Sequence, residues 1–101
     1  MTQPVITETW QHRPRVVSGI FEFRGFGPTG NGENVVRRLR EEFNVEAYRL
    51  GDLIEIDTGN DDGRIRAAAG DRFVPGVDGN VYRVKSHMWD LLWKRPNGDA
   101  S

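Results

Sequence analysis

The stretch Gly70-Asp71-Arg72-Phe73-Val74-Pro75-Gly76-Val77-Asp78-Gly79-Asn80-Val81-Tyr82-Arg83-Val84-Lys85, continued by Ser86-His87-Met88-Trp89-Asp90-Leu91-Leu92-Trp93, reads as strand, tight turn, strand and capped helix. Asp78-Gly79 is the strongest hairpin signal in the chain, because both central positions of a type I′ turn need positive φ. It joins Phe73-Val74 to a strand over residues 81–84. Ser86 is placed to cap a final helix of two turns, which Pro96 helps to end.

Working back from this block, residues 64–68 and 71–74 read as strands, and the polar run before them makes a turn. Residues 47–50 and 53–57 flank Gly51-Asp52, a link with glycine where a type II′ turn requires it, so they form a hairpin with Ile54 and Ile56 inward. Asn31 is placed to cap a helix over residues 32–43, whose Val35, Val36, Leu39 and Phe43 make one apolar stripe. Its charged remainder offers Glu33–Arg37, Arg37–Glu41 and Arg38–Glu42 pairs at i, i+4, worth about 0.3 kcal/mol each, and Asn44 supplies a stop. Upstream, residues 25–32 form a glycine-rich loop. Residues 16–24 alternate as a half-buried strand with Val17, Gly19, Phe21 and Phe23 on one face and Ile20 as the exception.

Residues 1–15 are read as an extended arm that leaves room for a short edge strand, residues 16–96 as a single domain, and residues 97–101 as a tail. Strands that follow one another through tight turns give an antiparallel sheet, and two helices suffice to cover one face. The expected class is therefore α+β: a small antiparallel sheet of about five or six strands, with one central amphipathic helix and a short C-terminal helix. Whether that sheet curls into a partly closed barrel is left open.

Composition narrows the function classes. The chain has 101 residues and no cysteine, which excludes disulfides, thiolate zinc sites and cysteine nucleophiles. Fourteen basic residues against 15 acidic ones leave no basic field for a nucleic-acid backbone, so nucleic acid is not an expected partner. No apolar run approaches the roughly 18 residues of a membrane span or resembles a signal segment, so a membrane is not expected either.

Several patterns suggest chemistry and then fail on spacing. Gly27 and Gly32 have the separation of phosphate-loop glycines, but Glu33 and Asn34 stand where lysine and a hydroxyl residue belong. Residues 57–63 resemble a calcium loop, yet alignment on Gly63 puts Thr58 at the first ligand position and Ala69 at the twelfth. Ser86, His87 and Asp90 have the residue types of a hydrolytic triad but lie within one helical turn and point in different directions around it. No catalytic residue, metal ligand or cofactor is therefore expected, and the chain is read as not an enzyme.

Trp89 and Trp93 lie i, i+4 on one helix face, and Arg83 and Lys85 alternate with Val84 on the preceding strand. Most simply the tryptophans close the core against the sheet. Where the rings are partly exposed, Tyr82, Arg83, Lys85, Trp89 and Trp93 form the candidate binding patch, of the composition that protein interfaces favour.

The pattern Gly70-Asp71, then Gly76-Val77 with Gly79, then Tyr82 and Lys85, then Trp89 and Trp93, resembles a widespread group of small, mostly uncharacterised bacteriophage and prophage proteins of similar length. Residues 16–23, Asn31-Gly32-Glu33-Asn34 and residues 53–57 look like the earlier features of that group. Arg83-Val84 stands where the group often has Pro-Cys, and residues 26–30 look like an insertion. The resemblance implies a phage accessory protein in the cytoplasm of the infected host cell, which binds a host or phage protein. A binder of a small phosphorylated ligand such as a nucleotide, through the loop at residues 27–32 with Arg83 or Lys85, is the alternative, together with a minor virion component. A homo-oligomer is left open.

Overall fold

A computed structural model describes residues 2–12, 15–57 and 63–95. The Pro96 stop, the tail at residues 97–101 and most of the calcium-like run at residues 57–63 lie outside the described residues. The fold is α+β, with two helices and seven strands in two antiparallel sheets, neither closed into a barrel.

The first sheet has the order β1 (Thr7–His12), β2 (Arg15–Glu22), β6 (Arg72–Pro75), β7 (Val81–Val84). It joins an N-terminal hairpin to a C-terminal one, and everything between them forms a second unit. That unit is helix α1 (Gly32–Glu42) followed by the meander β3 (Glu46–Leu50), β4 (Leu53–Asp57), β5 (Arg64–Ala67). The expectation of one sheet rests on consecutive strands pairing with each other, and it fails where β2 pairs with β6 across this insertion.

The principal core lies between the two sheets and α1. Phe21, Phe23 and Phe73 come from the first sheet, Ala47, Ile54, Ile56 and Ala67 from the second, and Val35, Val36 and Leu39 from the helix. Phe21 stacks on Phe73 with ring centroids 5.4 Å apart, and on Phe43 at 6.1 Å. Fully burying each such ring contributes about 2–3 kcal/mol. The helix ends where expected, since Asn44 takes a φ of 55° just beyond the C-cap Phe43. Of the three anticipated helical ion pairs, Arg38–Glu42 forms at 3.3 Å.

The first sheet is buried on both faces. On the side away from the principal core, Trp10, Ile20, Val74 and Trp89 form a second cluster, with Val17, Val84 and Trp93 against it. Helix α2 (Ser86–Leu92) supplies Trp89 and so covers this face. Residues 1–15 thus contain a strand whose Trp10 is a core residue, 8% exposed.

A bulge accounts for Ile20. The β1–β2 register slips between Glu8, opposite Ile20, and Trp10, opposite Val17, and Gly19 sits in the gap at φ +82°. The extra residue inverts the alternation. Val17 therefore shares a face with Ile20 in the second cluster, not with Phe21 and Phe23 as the bare alternation implies.

Asp71 ties the two hairpin systems together. Its buried carboxylate accepts the Ala68 and Ser86 backbone N–H groups, each at 3.0 Å. Ser86 is consequently the first residue of α2, with Lys85 at the N-cap and no side-chain cap, in place of the expected Ser86 cap. Asn31 does occupy the N-cap of α1, but its amide accepts from Arg24 N–H and donates to the Glu22 carbonyl instead of closing the helix.

Candidate functional site

The β6–β7 hairpin builds one wall of a groove. Its turn is not the expected two-residue type I′. The Gly79 N–H closes onto the Gly76 carbonyl at 3.1 Å, the Gly76 N–H bonds the Asn80 carbonyl at 2.7 Å, and only Gly79 takes a positive φ. This is the longer hairpin loop, in which a turn is followed by a glycine in the left-handed region. Asp78 folds back on it, accepting the Asn80 N–H at 3.0 Å and the Tyr82 hydroxyl at 2.6 Å.

The Tyr82 hydroxyl, followed by the Asn80 N–H, holds the Asp78 carboxyl below the usual carboxylate range, and the same Tyr82–Asp78 bond raises the phenol. Tyr82 is thus pinned by one end while its ring stays half-exposed at 52%. An orientation fixed in advance lowers the entropic cost of using that ring as a contact.

From Tyr82 the groove, about 330 Å³, runs over Val84, Val74 and Val17 to Trp93, and His12 and Arg15 close its far side. Val77 overhangs it at 89% exposure. Trp93 is positioned by aromatic contacts on two sides: it stacks on Trp89 at 4.9 Å with the planes 4° apart, and meets the His12 ring at 4.9 Å. A second hollow of about 440 Å³ begins on the other side of His12 and Trp93 and runs to Leu91 and Leu92, which expose 75% and 43%. The two hollows share His12 and Trp93, so the apolar groove from Val77 and Tyr82 to Trp93 adjoins a more polar hollow, in which Asp90 and Lys94 lie beside the exposed Leu91 and Leu92.

Trp93 owes its place to a rigid foundation. The Trp10 ring meets Trp89 edge-on at 5.2 Å, and the Arg72 guanidinium lies 4.8 Å from both rings. The Arg95 guanidinium sits over the Trp10 ring, 4.1 Å from its centroid. Glu8 joins the set, bonding Trp10 Nε1 at 3.0 Å and pairing with Arg72 at 3.2 Å and Arg95 at 3.7 Å. The backbone of Lys94 exchanges two hydrogen bonds with Gln11, at 2.7 and 3.0 Å, which fastens the segment after α2 to the edge of β1.

The five residues of the sequence-derived patch do not form one patch. Tyr82 and Trp93 meet in the groove. Trp89 is 3% exposed and belongs to the second cluster beneath it. Arg83 faces the other side of the sheet: its register partner is Phe73 of the principal core, and it lies mostly covered beside Asp71 at 3.9 Å. Lys85 is exposed at the start of α2 but does not share a strand face with Arg83, because the strand ends at Val84.

The glycine loop serves packing. A Cβ on Gly30 would collide with the Gly25 carbonyl, and one on Gly32 would strike the Phe26 and Phe23 rings. The Gly32 N–H donates to the Gly25 carbonyl at 2.8 Å and the Gly30 N–H to Gly27 at 3.1 Å, so these amides face inward. Ser86, His87 and Asp90 are exposed, with no hydrogen bond between their side chains among the described residues. No group of three or more histidine, aspartate or glutamate side chains suited to a metal occurs among the described residues.

Sequence reasoning missed a polar cluster on the outer face of the second sheet. Glu55 is 3% exposed although it points away from the core, because the Tyr48 hydroxyl, Arg64 at 3.1 Å and Arg66 at 3.2 Å close over it. The Tyr48 hydrogen bond, then those arginines, holds its carboxyl below the usual range. The signal in the sequence is the alternation of Glu55 and Asp57 with isoleucines opposite Arg64 and Arg66, which becomes legible once the β4–β5 register is known.

No protein family, curated protein or solved structure gives a significant match to the chain. No helix among the described residues is long and apolar enough to cross a membrane.

Proposed function

We propose that the chain is a non-enzymatic accessory protein of a bacteriophage, acting in the cytoplasm of the infected cell by binding a host or phage protein. The observation that carries this reading is the apolar groove from Val77 and Tyr82 to Trp93, open to solvent on a foundation of stacked and ion-paired side chains. Surfaces of this kind, aromatic and apolar at the centre with a polar and charged rim, here Arg15, His12 and Asp78, suit protein contacts. The phage assignment is supported by the resemblance of residues 70–93 to small phage proteins.

The test is affinity capture from bacterial lysate by the intact protein and by its Trp93→Ala and Tyr82→Ala variants, followed by titration of the purified captured protein. A protein retained by the intact chain, bound directly in titration, and lost about tenfold or more in affinity by Trp93→Ala supports the reading. A partner bound equally well by both variants places the function elsewhere on the molecule.

A further inference from the structure

Strand β7 is an edge strand, and the hydrogen-bond pattern of its hairpin states which of its backbone groups are free. The Gly76 N–H donates to the Asn80 carbonyl, which marks Gly76–Asn80 as the bonded position next to the loop. Antiparallel pairs alternate between bonded and non-bonded, so Pro75–Val81 and Phe73–Arg83 are non-bonded, while Val74–Tyr82 and Arg72–Val84 are bonded. Pro75, which has no N–H to give, fits this phase. The N–H and C=O groups of Val81 and Arg83 therefore point away from β6, to the side on which no strand lies among the described residues. The opposite edge of the same sheet differs: β1 is bridged at Gln11 by Lys94.

The flanks of this open edge have a definite character. On one side the groove beside Tyr82 and Val84 offers apolar walls down to Trp93. The nearby charges left unpaired among the described residues are basic: Lys85 at the end of β7 and Arg15 across the groove. The acid on the rim, Asp78, is already engaged by Tyr82 and Asn80.

We propose that β7 takes an extended, acidic segment of a partner protein by strand addition, with an apolar side chain of that segment seated in the groove between Tyr82 and Trp93. Exposed backbone donors and acceptors call for another strand, the groove calls for an apolar residue on the same side, and the cations beyond its two ends, Arg15 and Lys85, favour acidic residues at the ends of the segment. A second copy of this chain suits the edge less well, because it would bring a second Lys85 and Arg15 to a seam that already carries these unpaired cations. The proposal rests on the protein-binding reading above and names the chemistry of the partner.

The probe is a fluorescein-labelled, end-capped heptapeptide with a central phenylalanine among valines and two glutamates at each end, compared with its lysine counterpart and with a version N-methylated at alternate amides. Fluorescence anisotropy should show the glutamate peptide bound about tenfold or more tightly than the lysine peptide, and N-methylation in one of the two frames should abolish binding. Hydrogen exchange of the Val81 and Arg83 amides should slow by about tenfold or more at saturating peptide, with the Tyr82 and Val84 amides little changed. Val81→Pro removes one outward N–H at a position where an edge strand tolerates proline, and should weaken peptide binding at temperatures well below its own melting temperature, while Val81→Ala, which loses the same packing on the principal core but keeps the N–H, should bind as the parent does.

Absence of binding by the wild-type protein, equal binding of the two charge types, or binding without protection of Val81 and Arg83 overturns the proposal. Protection that appears without peptide and grows with protein concentration overturns it in favour of a second copy. If Val81→Pro keeps a cellular partner that Trp93→Ala loses, strand addition fails while the groove reading stands.

Discussion

Replacing Trp89 by alanine separates the two tryptophans that the sequence makes look equivalent. Trp89 is 3% exposed, meets Trp10 edge-on at 5.2 Å, stacks on Trp93 at 4.9 Å and receives the Arg72 guanidinium at 4.8 Å. Truncating a buried Trp to alanine costs about 3–5 kcal/mol in transfer and cavity terms together. That is a large share of the roughly 5–15 kcal/mol total expected of a domain. At about 4–8 °C per kcal/mol for domains of this size, the melting temperature should fall by about 15 °C or more. Trp89→Phe should cost much less, because it keeps ring contacts and removes an indole Nε1 that is buried without a hydrogen-bond partner. Trp93→Ala, at the half-exposed outer ring, should be mild in stability and severe for partner binding. Calorimetric melts of the three variants, with near-ultraviolet circular dichroism to follow the indole environment, measure this order. A Trp89→Ala protein melting within about 3 °C of the parent would refute the reasoning, since it would mean that the second cluster contributes nothing to the fold.

Three further outcomes follow from the same geometry. Asp71→Ala leaves the Ala68 and Ser86 N–H groups without their carboxylate and should cost about 2–4 kcal/mol by urea unfolding, whereas a loss under 1 kcal/mol contradicts the assigned bonds. Asn31→Ala orphans Arg24 N–H and the Glu22 carbonyl at a buried site and should cost about 1–3 kcal/mol in the same assay; an unchanged midpoint would contradict it. The Asp78 carboxyl is held low by Tyr82, so its stabilisation is present above the ordinary carboxylate value of about 3.9 and is lost as pH falls through the lowered one. Tyr82→Phe should move the Asp78 carboxyl midpoint upward in a nuclear magnetic resonance titration, and an unmoved midpoint refutes the link.

Most elements are legible in the residues themselves. The stripe of Val35, Val36 and Leu39 defines α1, Asn44 ends it, and Gly51-Asp52 marks the β3–β4 hairpin with Gly51 at φ +62°. What escapes is long-range. Nothing local to residues 7–12 says that Trp10 will be buried, because its partners Ile20, Val74 and Trp89 come from three other segments. The division into two sheets depends on β2 meeting β6 across the whole middle of the chain.

The candidate site is only half legible for related reasons. Tyr82 and Trp93 do meet, but period-two reasoning carries the strand one residue too far at Lys85 and cannot tell which face of β7 belongs to the helix. A sheet covered on both sides hides that choice, since Phe73 and Val74 are each buried, on opposite faces. Arg83 follows Phe73 to the far side, and Tyr82 follows Val74 into the groove. The hairpin loop is likewise one class longer than Asp78-Gly79 suggests, because Gly76 and Asn80 rather than the flanking residues close it.

The central claim is that a partner protein is bound at the end of the molecule where Tyr82 and Trp93 face solvent. Its most direct measurement is a titration of isotope-labelled protein with the purified captured partner, followed residue by residue in the amide spectrum. The account predicts shifts and broadening at Val77, Tyr82, Val84, His12 and Trp93, with Tyr48, Glu55 and Arg66 on the outer face of the second sheet unmoved. Perturbations concentrated at Tyr48, Glu55 and Arg66, with the groove residues still, would contradict it.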